Sequence, residues 1–395
     1  MSTGNRVARV KSLRALIGEC GGACGDLGTF IPHVIGAITI AGLAPFGVLF
    51  GFGAFLVATG LFYGLPLPVQ PMKAVSAVIL TEGLRPGEVA AAGMILGIVL
   101  LVLGTTGAIS RIARLIPQSV SVGLQLGLGL MMGVLGIKLM LETPWTGFGS
   151  LALLLVLMRV PSCPAAPVTL AAAACIGWLG NVAPTPAVTF AWPVPQLVIP
   201  TWAEVWRSFE IAALPQLSLT LTNAIIVTAS LSRELFPASS NIASERNLAL
   251  SSGLANVLLS PFGAMPMCHG AGGLQAQYRF GARTGLAPVI FGTVLLALAI
   301  GFAGSASSLF AIIPIGAVGA LLILAGKDLA VSRRLFDARP SCWPVIGATA
   351  LLTLIVNPAI GLVVGWLVEL VRAAIMRRPA AAISKVSHQS GRSRA

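Results

Sequence analysis

The sequence has 395 residues, of which 56% are hydrophobic and only 9% charged, with a mean hydropathy of +0.93. A water-solvated domain carries about a quarter charged residues, so a soluble globule is excluded. The net charge of +13 does not mark a nucleic-acid binder, because the basic residues lie in short clusters between apolar runs and at both tails.

In chain order, apolar runs predict membrane spans at 27–42, 44–64, 69–82, 88–108, 117–141, 148–158 and 164–180, then at 214–231, 247–261, 267–279, 285–303, 307–325, 342–356 and 359–376. The segment 200–213, with Trp202 and Trp206, reads as an interfacial helix, since tryptophan favours the headgroup zone. Charge tests the count. With a cytoplasmic N-terminus, every basic residue falls on the inner side except Arg85, Lys138 and Arg207, and Lys73 lies within a span. The expected fold class is therefore an all-α polytopic membrane protein of about fourteen spans, in the cell (inner) membrane, with both termini cytoplasmic. Seven spans per half reverse the entry side, so a 7+7 inverted repeat follows if the halves share a fold. The predicted divisions are a tail at 1–18, a first repeat at 19–180, an external connection at 181–213, a second repeat at 214–376 and a tail at 377–395. The six cysteines form no CxxC pair and read as small packing residues. No metal or cofactor is expected.

The third span opens Leu65-Pro66-Leu67-Pro68-Val69-Gln70-Pro71-Met72-Lys73. Its prolines bar a regular helix, so extended chain should run to about Pro71, where a half-helix can begin near the midplane. The tenth span repeats the pattern as Met265-Pro266-Met267-Cys268-His269-Gly270-Ala271-Gly272-Gly273, with Pro71-Met72 recurring as Pro266-Met267 after 195 residues. Paired, short, Pro- and Gly-interrupted spans point to a transporter's binding site. A helix N-terminus offers free N–H groups and partial positive charge to an anion. Lys73 would add a full charge, or would pair with Asp26. Gly270, Gly272 and Gly273 would let backbone N–H groups approach the ligand or else serve tight packing. His269 could donate to an oxyanion. Gln70, Met72 and Cys268 complete the two half-helix ends.

Two further spans supply polar groups. In the first, Gly25-Asp26-Leu27-Gly28-Thr29 places Asp26 and Thr29 as coupling or site-organising residues, with Asp26 read either as a solvated cap or as a partner of Lys73. In the eighth, Gln216, Thr220 and Asn223 fall on one helical face.

The segments GDLGTFIP, LPLPVQPMKA, LPQLSLTLTNAI and FGAMPMCHGAGGLQAQYRFGAR resemble signatures of the molybdate transporter family, within the wider sulfate-permease superfamily. The resemblance spans roughly 19–376. It implies a core domain of spans 1–4 and 8–11, a gate domain of spans 5–7 and 12–14, and uptake of molybdate with sulfate as a competing anion. The expected partners are thus an inorganic oxyanion and the lipid bilayer. A co-transported proton or sodium ion and a homodimeric partner are compatible with this reading; nucleic acid is not. Catalysis is not expected: His33 and His269 have no HExxH spacing, and no nucleophile motif is present. A proton-coupled nucleobase transporter of the same architecture and a passive anion channel are the alternatives. The nucleobase reading wants carboxylates in the eighth and tenth spans, and none occurs between Leu214 and Leu231 or between Met265 and Tyr278.

Overall fold

The computed structural model describes residues 13–160, 163–180, 193, 195–239 and 241–392, with backbone only at residues 223, 306–311 and 377–392. Arg6, Arg9, Lys11, Arg394 and residues 181–192 and 194 of the 181–213 connection therefore lie outside the described residues. The first half comprises α1 (Leu13–Cys24), α2 (Leu27–Thr39), α3 (Pro45–Tyr63), β1 (Gln70–Pro71), α4 (Lys73–Glu82), α5 (Pro86–Thr106), α6 (Ile109–Ala113), α7 (Gln118–Glu142), α8 (Pro144–Leu157) and α9 (Ala165–Leu179). In the second half, α10 (Trp202–Ser208), α11 (Leu214–Leu219) and α12 (Thr228–Leu235) are joined by π-helical turns. Then come α13 (Glu245–Leu259), β2 (Met267–Cys268), α14 (Ala271–Arg279), α15 (Leu286–Ala311), α16 (Ile315–Ala330), α17 (Arg333–Phe336), α18 (Trp343–Ile355) and α19 (Pro358–Arg392). Local chemistry sets many of these ends. Proline opens α3, α5 and α8, where its missing N–H costs nothing. Left-handed glycines close α3 and α4, at Gly64 and Gly83, both with φ 62°.

The protein is an all-α polytopic membrane protein built as two inverted seven-span repeats. β1 pairs antiparallel with β2, Gln70 opposite Cys268 and Pro71 opposite Met267. An axis that exchanges β1 with β2 also exchanges the packed pair α3–α15 with the pair α13–α5, and α7 with its partner α16. The α3–α15 and α13–α5 pairs belong to a core group, from which α7, α8, α9, α16, α18 and α19 separate as a second, gate group.

Helix crossings in both groups are made by reciprocal glycines. A Cβ placed on Gly97 would lie 2.9 Å from the Gly253 carbonyl oxygen, and one on Gly253 would lie 2.9 Å from that of Gly97. Gly53 and Gly292 do the same between α3 and α15, and Gly136 and Gly319 between α7 and α16. Lipid provides no hydrophobic drive for helix association, so close backbone approach and dispersion must hold these crossings. One buried charge helps at a single seam. Glu88 is fully buried in the first turn of α5, and Arg207 Nη1 of the incoming α10 meets it at 2.8 Å.

The structure departs from the sequence reading at five places. A helix, α1, precedes the first span. The segment 200–213 is not a separate interfacial helix but the start of one rod running from Trp202 to Leu235. Pro215 should break that rod; instead the Leu214 N–H reaches back to Phe209 O in a π turn, which absorbs the amide that Pro215 lacks. The eleventh and twelfth spans divide at Pro314, not before residue 307, because α15 continues to Ala311. The third-span helix begins at Lys73, not at Pro71, which belongs to β1. The cysteines are not core residues as a class: only Cys268 is buried, while Cys20, Cys24 and Cys175 are exposed.

The glycine crossings predict that Gly97→Val will lower the thermal unfolding midpoint of detergent-purified protein and its monodisperse yield, at a cost of about 1–3 kcal/mol for overpacking. Gly149→Val, on α8 with nothing within 4 Å of its Cβ position, should change neither. Equal tolerance of both substitutions, read by size exclusion and thermal melting, would show that these contacts do not hold the crossing.

Candidate substrate site

Two half-helices end against each other inside the core. The proline-rich run enters as extended chain, and its backbone is satisfied by cross-pairing: the Met72 N–H donates to Pro266 O at 2.9 Å. Asn256, on α13, clasps the free edge of β2. Its Nδ2 donates to Met267 O at 2.6 Å, and its Oδ1 accepts from the Met267 N–H at 2.9 Å. α4 and α14 therefore start from one rigid, hydrogen-bonded bridge, and their N-termini flank it.

A cavity of about 310 Å³ opens beside this bridge, between core and gate. From the half-helix ends it is lined by Gln70, Lys73, Cys268, His269, Gly270 and Gly272, and from the rod by Gln216 and Leu219. The gate contributes Gln125 of α7 and Asp328 of α16, followed by Ser332, Arg333 and Arg334. Lys73 stands in the first turn of α4 and makes no ion pair within 4.0 Å among the described residues. The proposed Lys73–Asp26 pair is thus not formed.

Asp26 is not a solvated cap either. It is 2% exposed, and its Oδ1 accepts from Gln70 Nε2 at 2.5 Å, while Oδ2 has no hydrogen-bond partner among the described residues. Gln70 and Asp26 fill the space beside α14. A Cβ on Gly273 would lie 2.7 Å from Gln70 Nε2 and 2.8 Å from Asp26 Oδ2, and one on Gly270 would overlap the Gln70 amide. The lack of a side chain at Gly270 and Gly273 admits the Asp26–Gln70 pair, which is the tight-packing alternative of the two the sequence left open. Gly272 differs: nothing lies within 4 Å of its Cβ position, and it lines the cavity.

His269 is also reassigned. It is 1% exposed, and both ring nitrogens are engaged by the protein. Pro68 O can only accept, so Nδ1 carries the proton and donates to it at 3.0 Å. Nε2 then accepts from the Ser251 hydroxyl at 2.9 Å, and Ser251 Oγ accepts from Tyr63 at 2.8 Å. The imidazole borders the cavity but holds the proline run in place; it has no free donor for an anion.

Gln216 caps α4. Its Oε1 accepts the N–H groups of Ala74 at 2.8 Å and Val75 at 3.3 Å, and its Nε2 donates to Thr220 Oγ1 at 2.8 Å. Gln216 and Thr220 thus act as a unit on the half-helix end, and Thr220 is fully buried behind Gln216. The side chain of Asn223 lies outside the described residues. Met72 is fully buried and Thr29 half-buried; neither lines the cavity. α14 has no side-chain cap at Gly270, and no side chain among the described residues accepts from its first-turn N–H groups as Gln216 does at α4. Sequence reasoning missed Gln125, Asp328, Ser332, Arg333 and Arg334. Gln125 carried a signal, as a lone amide in an otherwise apolar stretch of α7. The others read as inner-loop residues, and only the packing of the gate onto the core brings them to the site.

The two classes of glycine separate experimentally. Gly273→Ala should destabilise the purified protein by about 1–3 kcal/mol, seen as a lowered melting midpoint, because Gln70 and Asp26 cannot move without breaking their bond. Gly272→Ala should melt within about 0.5 kcal/mol of the parent. Equal midpoints for the two variants would remove the assignment.

Comparison with known proteins agrees with this architecture. The family model described as "Molybdate transporter of MFS superfamily" matches residues 18–132 and 209–329, which include both half-helices. Molybdate transporter 1 of Arabidopsis thaliana is 30% identical, over 91% of this chain and 88% of its own length. Molybdate transporter 2 of the same plant is 32% identical, over 82% of this chain and 81% of its own. Among solved structures, the transmembrane domain of the cyanobacterium bicarbonate transporter BicA superposes with a TM-score of 0.66 at 18% identity, covering 89% of this chain and 98% of that one. The murine Solute Carrier 26 family member A9 anion transporter, in its inward-facing state, gives 0.69 at 13% identity, covering 93% and 69%. These two likenesses show the fold. The superfamily word in the family description does not: major-facilitator halves are parallel six-span repeats, whereas the halves here are inverted and pair through β1 and β2. On the extent of the family match and the identity to both plant proteins, the chain belongs to the molybdate transporter family.

Proposed function

We propose that the chain carries a tetrahedral oxyanion, molybdate first and sulfate as a competitor, across the cytoplasmic membrane by alternating access, with the anion held at the meeting of the two half-helices. The observation that carries this reading is the juxtaposition of the α4 and α14 N-termini across β1–β2, with Lys73 in the first turn of α4 lining the same cavity. A helix end contributes about half a positive charge. Two ends give about one, and a dianion needs about two, so Lys73 supplies the remainder. Gln216 already takes two N–H groups of α4. In this reading α4 acts through its dipole and Lys73, while direct backbone donors come from α14 near Gly272. Gln70 and Gln125 add neutral amides, and Arg333 and Arg334 draw anions to the mouth.

The lining argues against a nucleobase. No carboxylate lines the cavity from α14 or the rod; Asp328, on the gate, is the sole acidic side chain among the lining residues. The divisions at 1–18, 19–180, 181–213, 214–376 and 377–395 are kept as the proposed organisation, with both termini cytoplasmic. A proton or sodium ion as the coupling ion, and a homodimer, belong to the same proposal. Labelled molybdate uptake into proteoliposomes, with sulfate and uracil as competitors at two pH values, tests the whole reading. Competition by uracil but not by sulfate would overturn it.

Lys73→Gln keeps length and hydrogen bonding but removes the charge. Loss of a charge-assisted hydrogen bond is worth about 1.5–3 kcal/mol, so equilibrium binding of molybdate to monodisperse protein should weaken about tenfold to a hundredfold. Lys73→Arg should bind better than the glutamine variant. Unchanged affinity in Lys73→Gln would show that the lysine is structural.

The basic loop gives an independent test of orientation. A cysteine placed at position 333, in a background with the native cysteines replaced, should react with a membrane-impermeant maleimide only after the cytoplasmic side is exposed. Labelling from intact cells would invert the topology.

A further inference from the structure

A second basic cavity lies at the end of the gate, away from the half-helix ends, and shares Arg334 with the first. We propose that it binds a phosphate group. Its volume is about 300 Å³, and Arg334, Arg339 and Arg372 line it together with Gln118, Ser119 and Asp337. Two helices start at this point, α7 at Gln118 and α18 at Trp343, and neither N-cap, Pro117 or Cys342, supplies a side-chain cap. The first-turn N–H groups of α7 have no intrahelical acceptor and add partial positive charge; at α18 the Trp343 N–H is taken by Pro340 O and Pro344 has none, so that end adds little.

Three arginines meet two carboxylates here, Asp337 and Glu369, so one positive charge is in excess. Glu369 is committed: its carboxylate takes Arg372 Nη2 at 2.5 Å and the Ser119 hydroxyl at 2.8 Å. Arg372 Nη1 also donates to Ser341 Oγ at 3.2 Å, so the guanidinium is held in place before any ligand arrives, which lowers the entropy lost on binding. Asp337 is the one carboxylate on the wall itself. Arg339 enters none of the ion pairs among the described residues. Planar guanidinium forks match phosphate oxygens in pairs, and here three of them share one wall. Exposed apolar side chains adjoin the site in sequence, Trp343 beside Cys342 and Val371 beside Arg372. Acyl chains could rest against them. The phosphate therefore comes either from a membrane lipid headgroup or from free phosphate, and the same groups would recognise both. This site does not depend on the transport reading.

The test uses the full chain, purified in detergent and examined by native mass spectrometry with phosphatidic acid or phosphatidylcholine, and with inorganic phosphate as competitor. The parent should retain phosphatidic acid over phosphatidylcholine. Arg339→Gln should weaken that retention about tenfold, and so should Arg372→Gln. Arg372→Gln releases Glu369 and can harm folding, whereas Arg339→Gln breaks no ion pair and keeps the test decisive. Arg111→Gln, a basic residue on α6 away from the cavity, should retain lipid like the parent. Displacement by inorganic phosphate at millimolar concentration would support the site with free phosphate as its ligand; retention against it would support the lipid headgroup. Equal retention of both lipids without displaceable phosphate, or equal weakening by Arg111→Gln and Arg339→Gln, would overturn the proposal.

Discussion

Everything in this fold depends on satisfying backbone polar groups at a place where the chain is not helical. Unpaired N–H and C=O groups inside a membrane cost several kcal/mol each, and two proline-interrupted runs bring many of them to the core. The answer is a sheet of minimal size, Gln70–Pro71 against Met267–Cys268, extended by the Met72–Pro266 bond and the clasp of Asn256. The half-helices cannot separate without baring those groups. Their positive ends are consequently fixed relative to each other, which is what an anion site needs and what loops alone would not provide.

Close packing keeps that bridge rigid. Reciprocal glycines let α3 lie on α15 and α5 on α13 at backbone contact, and both pairs brace the strands. The repeat gives the α3–α15 crossing twice, the second time as α13–α5. It does not give the polar chemistry twice. Lys73, Gln70 and Asp26 belong to the first repeat, while Gln216, His269 and Gly272 belong to the second. Asymmetry at the site arises from side chains set upon a symmetric backbone frame.

The parts legible in the sequence were those governed by local rules. Proline placement announced both half-helices, and the dipeptide Pro71-Met72, repeated at Pro266-Met267, announced their relation. Apolar length and charge alternation announced the spans. The missed features are all tertiary. The segment 200–213 reads as separate from the span at 214, and only the π turn at Phe209–Ala213 shows how one helix runs through Pro215. His269 reads as a donor because nothing in its neighbourhood of sequence reveals Ser251 and the Pro68 carbonyl. Glycines in a row read either as a ligand surface or as a packing surface, and what decides for Gly270 and Gly273 is their facing Gln70 and Asp26, whose positions are set some two hundred residues earlier in the chain. Gln125, Asp328 and Arg333 reach the cavity only through the docking of gate on core.

That docking bears on how the proposed transport could work. The anion's principal partners in this reading, Lys73 and the α14 N-terminus, are both fixed to the β1–β2 bridge and hence to the core. The gate supplies Gln125, Asp328, Ser332 and the arginines that follow. A core that shifted as a rigid body against the gate would keep the anion's charge neutralised throughout, since Lys73 and both helix ends would travel with it. Only the neutral amide of Gln125 and the charges at the mouth would be exchanged. A dianion left unpaired at membrane depth would face a large Born penalty, so moving it with its counter-charges is the physically economical route. The lack of an ion pair within 4.0 Å between Lys73 and Asp26 fits this account, since a lysine neutralised by its own protein could not serve as the counter-charge.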